Sequence, residues 1–273
     1  MVPTGTWQNE SPGTVLTDSF WDSGDVITGL RGRHYGTPET AAAVPSNTIR
    51  KERKKKLKLI GVTGGVGAGK SEILNYMKSN YNCCILLADE AARTLEAPGG
   101  AIYQPLIRLL EEYPAADPEK GETPAPITLE DGRINNPEMA RRIFSEPALL
   151  KKVNNLVHPA VKQYILSTFA IEKELGKLDF FVVEAALLIE CGYGRDVDAM
   201  WYIYCDENER RRRLRASRGY SDEKIDNILR SQLSEQTFRE NADVVIDNSG
   251  TIENACAQVD QALLAYGIAK KEQ

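Results

Sequence analysis

The chain predicts an α/β fold: a five-stranded parallel sheet flanked by helices, with a helical insertion and a small helical lid. Three features carry that expectation. Five short, β-branched-rich runs are apolar almost throughout rather than alternating, as strands covered on both faces are. Helical stretches separate them, which suits parallel strands joined by crossovers. The first run ends in a glycine-rich turn, GGVGAGKS, at residues 64–71.

The strand candidates are LKLIGVT (57–63), CCILLAD (83–89), DFFVVEAA (179–186), AMWYIYCD (199–206) and ADVVIDN (242–248). Four of them reach a polar group at or just inside their C-terminal ends: Asp89, Glu184, Asp206, and Asp247 with Asn248. Open parallel sheets place their ligand crevice at that edge, so the site is expected there.

Residues 1–49 are rich in Gly, Thr, Ser and Pro and show little periodicity, so they read as a tail. RKERKKKLK (50–58) follows, with seven basic residues and one acid, and reads as a solvated linker or as a segment that meets an acidic or nucleic-acid partner.

Between the second and third runs lies an insertion at about 93–176, too long for a loop and expected to form a mostly helical lobe. There NPEMARRIF offers Asn136 as a cap and Pro137 at the first helical position. Leu149, Leu150, Val153, Leu156 and Val157 recur at helical spacing. His158 precedes Pro159, a pairing biased away from helix, and so marks a boundary or kink. Residues 207–232 read as helix, tight turn at Gly219, helix, with Ser221 as a cap and Asp222 and Glu223 in the first turn. The domains expected are thus a tail with basic linker (1–56), a core of 57–92 with 177–206 and 233–273, an insertion (93–176) and a lid (207–232).

Composition narrows the function. With 42% hydrophobic and 27% charged residues among 273, the chain has ample material for a core. A net charge of -5 argues against a general nucleic-acid binder. FFVVEAALLI, interrupted by Glu184, is too short for a membrane span, and no basic-then-apolar signal opens the chain. Five cysteines without a CxxC pair suit reduced thiols in the cytoplasm.

Gly64 to Ser71 match G-x-x-x-x-G-K-[ST], with a strand before and an apolar-periodic helix (Ile73, Leu74, Met77) after. Each part has a chemical reason. Glycines let backbone N–H groups converge on phosphate oxygens, and the following helix aims its positive end at the same anion. Lys70 is expected to reach the β- and γ-phosphates and Ser71 to ligate Mg²⁺, so the loop, Gly64, Gly65, Val66, Gly67, Ala68, Gly69, Lys70 and Ser71, binds a nucleoside triphosphate. No NKxD motif of a GTPase occurs, and the size, insertion and arginine-rich segment suggest a small-molecule kinase.

Position alone leaves Asp89 open between a general base beside the loop and an N-cap of the helix beginning EAART. Arg93, four residues on, pairs with Asp89 or touches a substrate phosphate. Glu184 either holds a Mg²⁺ water or stays a buried neutral acid.

An ordered set of segments carries a resemblance: VTGGVGAGKS (62–71), ILLADEAARTL (85–95), LVHPAV (156–161), VVEAALLIECGY (182–193), RRLRASRGY (212–220) with ILRSQ (228–232), and ADVVIDN (242–248). In order and spacing, over about 57–265, it resembles the dephospho-CoA kinases, a P-loop kinase family. The resemblance implies ATP-dependent phosphorylation of the ribose 3′-hydroxyl of dephospho-CoA, with ATP and Mg²⁺, in a monomer or small homo-oligomer without nucleic-acid or membrane partners. It raises Asp89 to the catalytic base and assigns Arg213 and Arg218 to the lid, leaving Arg210, Arg211, Arg212 and Arg215 to solvent. It implies substrate contacts for Arg93, His158 and Gln232, the last in the helix after the lid turn, and places Asn248 near an adenine. Both Gln232 and Asn248 can equally be capping or ladder-satisfying groups. Departures are Leu87 where the family often has an aspartate, Ala68 for the usual serine, and Asn136 for the usual arginine. Arg133, Arg141 or Arg142 are candidates to compensate for that last loss. A nucleoside or nucleotide kinase and a non-enzymatic nucleotide switch are the alternative functions.

Overall fold

The computed structural model describes residues 57–113 and 125–272. The tail at 1–49, the basic run up to residue 56 and the first part of the Pro- and acid-rich 115–130 segment lie outside the described residues.

All five expected strands form: β1 (Lys58–Thr63), β2 (Cys83–Leu87), β3 (Phe180–Glu184), β4 (Ala199–Tyr204) and β5 (Val244–Asp247). They pair in the order β2-β3-β1-β4-β5, every pair parallel. The nine helices among the described residues are α1 (Lys70–Asn80), α2 (Ala88–Glu96), α3 (Tyr103–Glu111), α4 (Asn136–Ser145), α5 (Pro147–Leu175), α6 (Glu207–Arg218), α7 (Asp222–Ser231), α8 (Glu235–Glu240) and α9 (Ile252–Ala265).

Burial explains why the strand runs are apolar without alternation. The central strands β1, β3 and β4 are buried over nearly their whole length, because helices cover both faces. One apolar layer packs Phe181, Val183 and Met200 of the sheet against Ala91, Leu106, Leu149, Val153 and Ile165 of α2, α3 and α5. The other packs Ile60, Val62, Val182, Trp201 and Ile203 against Ile73 and Met77 of α1 and Val259 and Leu263 of α9. The insertion therefore shares a continuous apolar core with the sheet. Removing a fully buried ring such as Trp201 would cost about 3–5 kcal/mol.

Several local expectations need correction. Helix α4 is capped by Asn135, whose side chain accepts from the Glu138 amide, one residue before the expected Asn136. His158–Pro159 marks no boundary, since α5 runs through Pro159 for 29 residues. Leu149, Val153, Val157, Val161 and Ile165 are buried at four-residue spacing along it, and that stripe outweighs the lost hydrogen bond at proline. The helix, turn and helix expected in 207–232 do form: α6 stops at left-handed Gly219 and Ser221 caps α7 through the Lys224 amide. Gln232, however, is the residue that ends α7 rather than one within it.

The arginines near Asn136 are engaged within the insertion. Arg142 is buried, bonded to Glu138 and to the carbonyls of Leu110 and Ala125, and so ties α3 to α4. Arg141 also pairs with Glu138, and exposed Arg133 folds back on Asp131. All five cysteines are free, and among the described residues no helix is long and apolar enough to cross a membrane.

Candidate active site

The glycine loop leaves β1 at the centre of the sheet and enters α1, and its backbone is held from outside. Gly69 adopts φ 83°, and a Cβ there would fall 2.3 Å from Asn248 Nδ2. Only glycine meets both demands. Asn248 follows β5, is buried, and donates that Nδ2 to the Ala68 carbonyl at 2.8 Å. Asn248 thus supports the loop's backbone, which is the structural side of the two readings open for it.

Lys70 opens α1. Its Nζ donates to the Gly64 carbonyl at 2.8 Å and lies 3.5 Å from Glu184 Oε1. Glu184 ends β3 at the level of Val62 in β1 and Leu87 in β2, so the sheet register sets this carboxylate beside the loop. Burial raises its pKa above the ordinary value, with Lys70 pulling the other way and Asp89 adding to the rise. Ser71 sits exposed on the first turn of α1.

Asp89 does not end a strand, as the sequence suggests, nor does it cap the helix. Strand β2 stops at Leu87, which stands at the N-cap position, and Asp89 lies in the first turn of α2. A carboxylate there also meets the helix's positive end. Burial is the largest influence and raises its pKa; Arg93 and Lys70 oppose it, and Glu90 raises it further. Arg93 acts likewise on Glu96, whose carboxyl burial pushes up to about 7. Asp89, Arg93 and Glu96 follow the i, i+4, i+7 spacing of one helix face. The same spacing makes Glu96 legible from the sequence beside Asp89 and Arg93.

The arginine run divides differently from the expectation. Arg213 bonds Glu209 through Nε and the Asn248 carbonyl through Nη2 at 2.8 Å. Its Nη1 is buried with no partner among the described residues, 3.1 Å from where a Cβ on Gly69 would stand. A buried cationic donor without an acceptor costs free energy unless an anion meets it. Arg210, assigned to solvent, is instead packed on the loop: its Nε donates to the Val66 carbonyl at 3.0 Å and its Nη2 to Gln232 Oε1. Arg210, Arg213 and buried Leu214 follow i, i+3, i+4, so one helical face holds all three, and a helical wheel would have found it. Arg211 is mostly covered between Glu207 and Asp226, whereas Arg212 and Arg215 are exposed ion pairs as expected.

Two predicted residues lie apart from this constellation. Arg218 is exposed at the end of α6, its guanidinium against Tyr220. His158 lies midway along α5 with Nδ1 3.5 Å from Cys191 Sγ, and burial lowers its pKa.

The arrangement suits a polyphosphate. An amide-lined loop, Lys70 and an unpartnered Arg213 donor supply positive potential, and desolvated carboxylates stand at the adjoining strand and helix ends. Among the described residues no group of three or more His, Cys, Asp or Glu side chains forms a metal cage. A hard divalent ion held partly by substrate phosphates needs fewer protein ligands, and Ser71 and Glu184 supply the oxygen donors it prefers.

Similarity to known proteins agrees with this geometry. A family model described as dephospho-CoA kinase matches residues 58–254. The dephospho-CoA kinase of Streptococcus mutans is 33% identical over 208 residues, covering 76% of this chain and 96% of that protein. That of Corynebacterium efficiens is 31% identical over 204 residues, covering 75% and 94%. The crystal structure of TT1252 from Thermus thermophilus aligns with a TM-score of 0.59 at 28% identity, over 77% of this chain and 98% of that one. The dephospho-CoA kinase of Campylobacter jejuni, at 18% identity, shares the fold with a TM-score of 0.57 over 76% and 95%. By its loop, its parallel sheet and its matched length, the chain belongs to the dephospho-CoA kinase family.

Proposed function

We propose that the protein transfers the γ-phosphoryl group of ATP to the ribose 3′-hydroxyl of dephospho-CoA, giving CoA and ADP. The observation that carries this reading is the buried, unpartnered Nη1 of Arg213 beside Gly69, within a glycine loop whose Lys70 influences both Glu184 and Asp89.

In this reading the amides from Gly64 to Ser71, including those of Gly65, Val66, Gly67 and Ala68, hold the phosphates, with Lys70 on the β- and γ-oxygens. Asp89 accepts the hydroxyl proton as the ribose oxygen bonds to the γ-phosphorus. The bond from that phosphorus to the bridging oxygen breaks, and ADP leaves with the electron pair. Arg213 offsets charge on the transferring group, and Arg218 joins it when the lid closes and excludes water. Mg²⁺, held by Ser71, Glu184 and phosphate oxygens, would offset charge on those oxygens. Arg93, His158 and Gln232 are assigned to the acceptor side. Residues 57–92, 177–206 and 233–273 form the nucleotide core in this proposal, 93–176 receive the acceptor and 207–232 are the lid. A cytoplasmic monomer or small homo-oligomer acting on a small molecule fits the acidic net charge of -5.

The test is ADP release from Mg-ATP with dephospho-CoA, adenosine, cytidine, AMP or CMP as acceptor. Release with dephospho-CoA alone is the expected result. Release with a nucleoside or nucleotide instead would make the protein a different kinase. Nucleotide binding with no acceptor-dependent release would make it a switch.

A further inference from the structure

We propose that Arg210 is a positioning residue that clasps the glycine loop to the lid and sets the direction of a loop amide; the nucleotide part of this inference rests on the reading that the loop takes ATP. One guanidinium joins three segments. It projects from α6, donates Nε to the Val66 carbonyl at 3.0 Å, and donates Nη2 to Gln232 Oε1 at the end of α7.

Two consequences follow from elementary geometry. A trans peptide is planar, with its C=O and N–H on opposite sides, so drawing the Val66 oxygen toward Arg210 turns the Gly67 N–H away from it. The clasp thereby fixes one of the donors that line the loop. Gly65 is explained as well. It lies outside the left-handed region, yet a Cβ there would stand 2.4 Å from Arg210 Nη2, 2.6 Å from its Cζ and 2.8 Å from Gln232 Oε1. A Cβ at that position would therefore displace the guanidinium and its glutamine partner from the loop, with no backbone strain involved.

A planar fork with separated donors can span two acceptors at once, whereas an ammonium offers a single point. The lid helix is coupled to the loop through this side chain on one side and through Arg213 near Gly69 on the other.

The experiment compares Arg210→Ala, Arg210→Lys, Gly65→Ala and the double variant Gly65→Ala/Arg210→Ala. Thermal midpoints are measured without nucleotide, and KM for ATP and for dephospho-CoA separately. Arg210→Ala should raise KM for ATP about tenfold, the scale of one hydrogen bond from a charged donor, and should raise it more than KM for dephospho-CoA. Arg210→Lys should not restore it. Gly65→Ala should lower the midpoint in the native background by displacing the clasp, and lower it less once Arg210 is alanine and only Gln232 Oε1 remains close. An unmoved KM for ATP, or an equal effect of Gly65→Ala in both backgrounds, overturns the proposal. Should Arg210→Ala not fold, Arg210→Lys serves as the background for the same comparison. Absence of any acceptor-dependent ADP release would refute the kinase reading while the thermal comparison still decides the clasp.

Discussion

Asn248 and Ala68 stand 180 positions apart in sequence and 2.8 Å apart in space, joined by a hydrogen bond from the asparagine Nδ2 to the alanine carbonyl. The same Asn248 gives its own carbonyl to Arg213 Nη2 and its amide to the Tyr204 carbonyl. The loop's shape is therefore held by the residue just past β5. Asn248→Ala should destabilise the fold by about 1–3 kcal/mol, because a buried carbonyl loses its donor. Thermal unfolding measures that loss, and KM for ATP should rise with it.

Asp89→Asn should leave ATP affinity near normal while turnover falls by about 10²–10⁴, the usual contribution of a positioned base. A turnover close to that of the native protein would remove Asp89 from the chemistry. Because the base must be ionised to accept a proton and burial raises its pKa above 3.8, the rate should fall on acidification at a pH above the ordinary aspartate range. A kcat/KM profile against pH, which reports the free enzyme's groups, reads that limb.

Glu96 gives a stability prediction of definite sign. Its folded-state pKa is raised from 4.5 to about 7, chiefly by burial, so folding favours the protonated form. The stabilisation is present below pH 4.5, declines as pH rises toward 7, and is gone above it. Asp89 and Glu184 are shifted in the same direction and add to the slope. Glu96→Gln should flatten the decline across that window without reversing it, as urea unfolding at a series of pH values would measure. An unchanged slope would mean that Glu96 ionises normally.

Arg213 and Arg218 should separate. Arg213→Ala removes the Nη2 donor to the Asn248 carbonyl and the buried Nη1 near Gly69, and should cut turnover by at least about 10², the cost typical of losing a donor to developing charge. Arg218→Ala removes an exposed side chain resting on Tyr220 and should cut it less. Steady-state kinetics of the two variants side by side decide the order; equal losses would place both on the phosphates.

Much of the site was legible because its signals are local. Glycine spacing, the lysine and serine after it, and near-continuous apolar strand runs all report on their own neighbourhood. Where two local tendencies competed, the longer-range one prevailed: the buried stripe of α5 carried the helix through Pro159. Asp89 is legible as a residue but not as to its element, since β2 ends at Leu87 and α2 begins at the next residue, and the two look alike in an apolar run. A helical wheel groups Arg210 with Arg213 and Leu214, but among six arginines between 210 and 218 only packing shows that Arg210 meets the Val66 carbonyl.

By itself the order of residues determined the parallel sheet, the phosphate-type loop and the edge on which ligands gather, because strand burial and glycine geometry are written within a few neighbouring positions. Tertiary structure alone decided which arginine grips the loop, which asparagine supports it and which carboxylates lose their water. Those outcomes depend on side chains from distant segments meeting in one buried place, where desolvation and hydrogen bonding act on the assembled neighbours rather than on any local pattern.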